Sequence, residues 1–130
     1  VYVSDQTHSS VTKAVHLMGL PKKNVRIVPT IEDFKMDINK LEEIIKDDIL
    51  NDFKPFLLVG SSGTTNIGSV DPLGKLGEIA EKYKIWYHVD GAYGASVLLS
   101  SHKDMLRELK NQTLLVGMDT NGFFKPMDVE

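Results

Sequence analysis

The sequence predicts an α/β fold, a mostly parallel sheet flanked by helices, and three observations lead there. Short strand-like runs alternate along the whole chain with stretches whose apolar residues recur at helical spacing. The run Phe56–Val59 is apolar throughout, as a strand covered on both faces must be. Glycine-, aspartate- and hydroxyl-rich segments follow the strand-like runs, at the end where open parallel sheets bind their ligands.

Taken in order, Val1–Ser4 reads as a short strand. Ser9–Met18 reads as a helix with Val11, Ala14, Val15 and Met18 on its apolar stripe, stopped by Gly19. Val25–Val28 is a second strand, closed by Pro29. Asp37 is placed to cap a long amphipathic helix ending near Leu50, with Ile38, Leu41, Ile44, Ile45 and Ile49 facing inward. After the strand Phe56–Val59, the loop Gly60–Ser69 leads to Asp71-Pro72, a helix start with proline at the first helical position. That helix runs to about Tyr83, and Ile85–Val89 is the next strand, followed by the tight sequence Asp90-Gly91-Ala92-Tyr93-Gly94. Lys103–Lys110 is expected to be a helix and Leu114–Val116 a strand. Each return to a parallel strand needs such a crossover helix.

Composition narrows the function classes. The chain has 130 residues, 42% hydrophobic and 25% charged, which suits one domain or part of a larger one. A net charge of -3 with scattered Lys and Arg argues against a nucleic-acid partner. No apolar run approaches the roughly 20 residues that span a bilayer. With no cysteine, disulfides and thiolate metal sites are excluded, and a cytoplasmic protein is the plain expectation. The chain opens inside a strand-like run, so its true N-terminus is expected upstream.

Three segments carry chemistry. Asp90 closes a strand and leads into glycine and alanine, which leaves open floor beside its carboxylate. A carboxylate there can hold a protonated ring nitrogen; it can equally cap the following turn. Ser61-Ser62-Gly63-Thr64-Thr65-Asn66 offers hydroxyl donors and a glycine that lets a ligand approach the backbone. It lacks the Gly-Lys-Ser/Thr ending of a phosphate-binding P-loop and the dinucleotide glycine fingerprint, and alone it is an ordinary strand-to-helix loop. Within Asp5-Gln6-Thr7-His8-Ser9-Ser10, the flat imidazole of His8 can stack on an aromatic cofactor, while Ser9 or Ser10 can cap the helix. His16 and His102 read as exposed and unassigned, and His8, His88 and Asp90 are too thinly spaced to argue a zinc site.

Together, and in this order, these segments resemble the group II pyridoxal-phosphate decarboxylases, which act on aromatic amino acids, tyrosine, histidine, glutamate or cysteine sulfinate. The likeness rests on Ser4–Ser10 with Lys13-Ala14, on Gly63-Thr64-Thr65 with Gly68 and Asp71-Pro72-Leu73, and on Trp86–Gly94. It covers about residues 1–111, with 112–130 diverging. The resemblance implies part of the large cofactor-binding domain of fold type I, the aspartate aminotransferase-like architecture. It implies pyridoxal 5'-phosphate as cofactor, an amino acid as small-molecule substrate, carbon dioxide and an amine as products, and a homodimer. It also implies that His8 stacks on the cofactor ring and positions the substrate carboxylate. By the same resemblance Thr65 lies near the oxygen-bearing face of the ring, Asp90 pairs with the pyridine nitrogen, Ala92 packs beneath the ring, and Asp71 is a structural acid.

One departure stands out. The family carries its Schiff-base lysine in a His-Lys pair, and counting forward in register from Asp90 leads to Asp119-Thr120-Asn121-Gly122. Asn121 stands for the histidine and Gly122 for the lysine. His102-Lys103 comes too early, nothing around Lys125 matches, and both lysines read as solvated. The phosphate-anchoring segments that the family carries upstream are absent too. A fragment whose final residues are read-through or misassembled is the favoured expectation, ahead of a degenerate relative or a substitute lysine. Rival readings are another fold type I enzyme, such as an aminotransferase or lyase, and a catalytically dead homologue serving as a binding or dimer partner.

Overall fold

Strand and helix alternate in the computed structural model as the patterning requires, and residues 1–92, Gly94, Ser101 and the backbone of Leu115–Gly117 are described. The strands are β1 (Tyr2–Ser4), β2 (Arg26–Val28), β3 (Leu57–Ser61), β4 (Trp86–Asp90) and β5 (Leu115–Gly117). The helices are α1 (Ser9–Leu17), α2 (Ile38–Leu50) and α3 (Leu73–Tyr83). The predicted helix Lys103–Lys110 lies outside the described residues. All strand pairs are parallel, in the order β2-β1-β3-β4-β5. Among the described residues no helix is long and apolar enough to cross a membrane.

The strand order reverses once. The chain steps from β1 outward to β2, then returns past β1 to β3 and continues to β4 and β5. Right-handed crossovers then put α1 on one face and α2 with α3 on the other. The burial pattern agrees. Tyr2, Leu58, Tyr87 and Val89 of the strands share one core cluster with Leu41 and Ile45 of α2 and Leu73, Leu76, Ile79 and Ala80 of α3. Val3, Val15 and Val59 are buried but stand outside that cluster, as residues on the α1 face should. Each such large apolar side chain contributes about 1.5–3 kcal/mol when fully buried.

Local chemistry sets the boundaries. Asp37 caps α2, its Oδ1 accepting from the N–H of Asn39 at 2.9 Å and of Lys40 at 3.1 Å. Helix α3 ends on Lys84 in the left-handed conformation, its N–H returning to Ala80 and Glu81. Pro72 occupies the cap position of α3 and not its first turn, because Leu73 N–H turns back to the Asp71 carbonyl at 2.7 Å. The Asp71 side chain does not cap either. It is buried, and its two oxygens accept from the N–H of Met36 and of Ser61, both at 2.8 Å. One carboxylate thus ties the approach to α2 to the last residue of β3. Burial pushes its carboxyl above the usual range, opposed by those two N–H donors.

Several expected inward residues face outward. On α1 only Val15 is buried, and Met18 is 62% exposed. On α2, Ile49 is 46% exposed, and its neighbour Asp48 is buried instead. Phe56 is 51% exposed and falls before β3 begins. His16, expected to be exposed, is half-buried, with Nδ1 at 3.1 Å from the Leu20 carbonyl. The exposure of the α1 stripe has a plain cause: on the α1 face the described residues supply only a single helix of nine residues, too little to cover five strands.

Asp48 is buried because it answers a charge on the edge strand. Its carboxylate accepts from Arg26 Nε at 2.9 and 3.0 Å, from Arg26 Nη2 at 2.6 Å and from the Tyr2 hydroxyl at 2.9 Å. Burial alone would push its carboxyl up, but the Arg26 and Tyr2 hydrogen bonds outweigh it and hold the group below 3.8. The folded state therefore favours the carboxylate, and this stability is present above pH 3.8 and lost as pH falls through the lower folded value. Asp48→Asn is expected to flatten the acid limb of stability measured by urea unfolding across pH. It should also cost about 1–3 kcal/mol near neutrality by leaving donors unpaired. Gly60 sets a second constraint, since a Cβ there would meet Leu76 Cδ1 at 2.8 Å and Leu73 Cδ2 at 3.1 Å. Gly60→Ala is expected to destabilise by roughly 1–3 kcal/mol through overpacking between β3 and α3, read in the same unfolding experiment.

Candidate functional site

The reversal of strand order opens a crevice beyond the carboxyl ends of β1 and β3, the place where open α/β sheets bind ligands. His8 follows β1, Thr65 follows β3, and Asp90 and Ala92 lie at the end of the adjacent strand β4. The four sequence-predicted residues thus come from three neighbouring strand ends on one rim of the sheet.

Strand alternation decides which way Asp90 faces. Tyr87 and Val89 belong to the core cluster under α2 and α3, so Trp86, His88 and Asp90 face the other side. That is the side of α1, which His8 begins. The register pairs Asp90 with Ser61 of β3 and Gly117 of β5. Its backbone carbonyl accepts from Ser62 N–H at 2.8 Å, holding the strand end against the glycine-rich loop. The side chain is half-buried, and among the described residues no hydrogen bond or ion pair engages it. Asp90 is the last residue of the strand and not the first of the turn, so its direction is fixed by the ladder.

His8 occupies the cap position of α1. Its Nδ1 accepts from Ser10 N–H at 3.3 Å and lies 2.8 Å from Ser10 Oγ. Neither Ser9 nor Ser10 is the cap, contrary to the sequence expectation, because the imidazole itself fills that role. The ring is exposed at the rim. The loop after β3 is closed by its own hydrogen bonds. Gly63 and Thr64 N–H both reach the Ser69 carbonyl, at 3.1 and 2.9 Å, and Thr64 Oγ1 accepts from Ser69 N–H at 3.1 Å. Thr64 is buried as a result, and Thr65 is left exposed on the outer bend. Ala92 is also exposed, two residues past Asp90. Close packing follows immediately: Gly94 N–H donates to the Ser62 carbonyl at 2.9 Å, and a Cβ at Gly94 would stand 2.1 Å from that oxygen.

Sequence reasoning missed Ser10 as the partner of His8 and the backbone tie from Ser62 to Asp90. A serine two positions after a histidine at a helix start was the available signal for the first. The second depends on register and leaves none. The segment Asp119–Gly122 and the residues His102, Lys103 and Lys125 lie outside the described residues. Among the described residues no group of three His, Cys, Asp or Glu side chains stands close enough to hold a metal ion.

The donor set suits a flat, protonated heteroaromatic ring: an acid without a partner among the described residues, an imidazole on the same face, a hydroxyl and a methyl side chain at the neighbouring strand ends.

Comparison with known proteins identifies the family and the fold. Residues 1–112 match the model of the pyridoxal-dependent decarboxylase conserved domain. An aromatic-L-amino-acid decarboxylase of Bacillus atrophaeus is 35% identical over 130 residues, 99% of this chain and 27% of the relative. Tyrosine decarboxylase 2 of Arabidopsis thaliana is 44% identical over 101 residues, 76% of this chain and 18% of the relative. The crystal structure of the glutamate decarboxylase domain of diaminobutyrate-pyruvate transaminase and L-2,4-diaminobutyrate decarboxylase from Vibrio parahaemolyticus superposes with a TM-score of 0.81. It is 39% identical and covers 88% of this chain and 25% of that one. The chain therefore spans only 18% to 27% of the length of these relatives. The family match covers residues 1–112, and the Bacillus relative aligns over 99% of the chain. The fold is that of the fold type I decarboxylases, and the chain belongs to the pyridoxal-dependent decarboxylase family.

Proposed function

We propose that this chain forms the ring-binding floor of a pyridoxal-phosphate-dependent amino-acid decarboxylase, and that the longer protein releases carbon dioxide and an amine. The observation that carries the reading is Asp90: a half-buried carboxylate at the ligand end of β4, turned to the His8 face, with no partner among the described residues. Pyridoxal phosphate, when bound, supplies an electron sink whose strength depends on a protonated pyridine nitrogen. Asp90 holds that proton in place, because an adjacent negative charge favours the charged form of its neighbour. His8 covers the ring from the α1 side and excludes water, and its free ring nitrogen offers a hydrogen bond to the substrate carboxylate. Thr65 contributes its hydroxyl near the oxygen-bearing side of the ring, and the Ala92 methyl leaves room for the opposite face. The proposal extends to a homodimer in the cytosol, in line with the family resemblance and a chain without cysteine.

A second reading has its own observation. Asn121-Gly122 in place of a His-Lys pair favours a homologue that binds the cofactor without turning over. The two readings agree on Asp90 and differ on covalent capture, so one titration addresses both. Pyridoxal phosphate added to the chain should bind reversibly by equilibrium dialysis. Asp90→Asn should weaken binding roughly 10- to 100-fold, the effect of losing one hydrogen bond to a charged group. Equal binding by the variant would remove Asp90 from the role. In a longer protein that carries a His-Lys pair in register, amine and carbon dioxide are the expected products, and a keto acid would point to an aminotransferase. In that protein Asp90→Asn should lower turnover by about two to three orders of magnitude, as loss of a preorganised electrostatic partner does elsewhere. No turnover of any amino acid, with binding intact, would leave the second reading standing.

A further inference from the structure

The pairing of His8 with Ser10 fixes more than the start of a helix. In a neutral imidazole one ring nitrogen carries a proton and the other a lone pair. Ser10 N–H points at His8 Nδ1 at 3.3 Å, and Ser10 Oγ lies 2.8 Å from the same atom. Were the proton on Nδ1, it would face the backbone N–H of Ser10, two donors head to head at the cap of α1. With the lone pair on Nδ1, the backbone N–H and the hydroxyl both donate to it, and one of the free N–H groups of the first helical turn is satisfied. The geometry selects the second arrangement, and no other side chain among the described residues is hydrogen-bonded to this ring.

We propose that Ser10 is a positioning residue, one that holds neutral His8 in the tautomer with its proton on Nε2 and fixes the orientation of the ring. The hydrogen bond made by one ring nitrogen decides which proton the other carries. The imidazole then presents Nε2–H as a donor toward the crevice, the polarity needed to engage an anionic group such as the carboxylate of an amino acid. With the other tautomer it would present a lone pair to that carboxylate and repel it. This use of the tautomer rests on the decarboxylase reading; the tautomer itself does not. Ser10 touches neither cofactor nor substrate in this scheme, and it acts through His8.

The test needs no cofactor. In the full 130-residue chain, labelled with nitrogen-15, long-range proton–nitrogen correlation spectra of the imidazole report both ring nitrogens at a pH where His8 is neutral. The expected result is Nδ1 with the shift of an unprotonated nitrogen and Nε2 with that of a protonated one, widely separated. In Ser10→Ala the two resonances should move toward each other as the minor tautomer rises roughly fivefold, the effect of losing one ordinary hydrogen bond. Ser10→Thr, which keeps the hydroxyl, should restore the separation, and both exposed substitutions should leave helix content by circular dichroism unchanged. A proton found on Nδ1 in the parent chain, or a separation that Ser10→Ala does not alter, would overturn the proposal. Either result would leave the binding role of Asp90 untouched, since that is read by cofactor titration.

Discussion

The ladder between β3 and β4 governs the molecule. It runs in unbroken parallel register from Leu57 against Trp86 to Ser61 against Asp90. Side chains alternate faces with a period of two, so a slip of one residue would turn every side chain of β4 over. Tyr87 and Val89 would leave the core beneath α3, and Asp90 would enter it. The core therefore protects the orientation of the site, because burying an unpaired carboxylate while exposing a tyrosine and a valine would be costly on both counts. Gly60 belongs to the same constraint, since it lets α3 lie close enough to hold those residues down. The stability of one face of the sheet thus aims the chemistry of the other.

What the sequence made legible follows from how local each signal is. Helix α2 was readable because Asp37 is a strong cap and the apolar spacing is regular, and its bounds came out as Ile38–Leu50. Strand existence was readable for β1 to β5, and their ends shifted by a residue or two, which is the ordinary reach of pattern reasoning. Periodicity failed at Ile49 and Asp48 because it knows nothing of Arg26, far away in sequence on the edge strand. A charged pair with a tyrosine hydroxyl beside it drew the acid inward and left the isoleucine at the surface. The stripe of α1 failed for a different reason. Its amphipathic pattern anticipates a layer that the described residues do not supply, and Trp86, 62% exposed on the same face, tells the same story.

At the proposed site, the motifs pointed to strand ends but not to their internal arrangement. Asp90 and His8 were singled out by residue type and position after a strand, and the topology places those strands on either side of β3. That His8 is its own cap, with Ser10 as donor, was not foreseen, because serine is the commoner cap by propensity. The imidazole can replace it only because Nδ1 reaches the N–H two residues on, a matter of backbone angles and not of composition. Thr64 and Thr65 are adjacent and chemically alike, yet the loop's hydrogen bonds bury the first and expose the second.

On the proposed reading, holding a heteroaromatic ring and anchoring it covalently are separable tasks. The first would need groups fixed by β1, β3 and β4, and those strands are joined by parallel pairing and a shared core. The second would need a lysine from a later segment, and counting in register from Asp90 leads to Asn121-Gly122. None of the hydrogen bonds described here involves that later segment, so on the proposed reading the anchor and the floor rest on different residues. The acid at the end of β4 is aimed by the packing of Tyr87 and Val89 beneath it, and that packing asks nothing of the anchor.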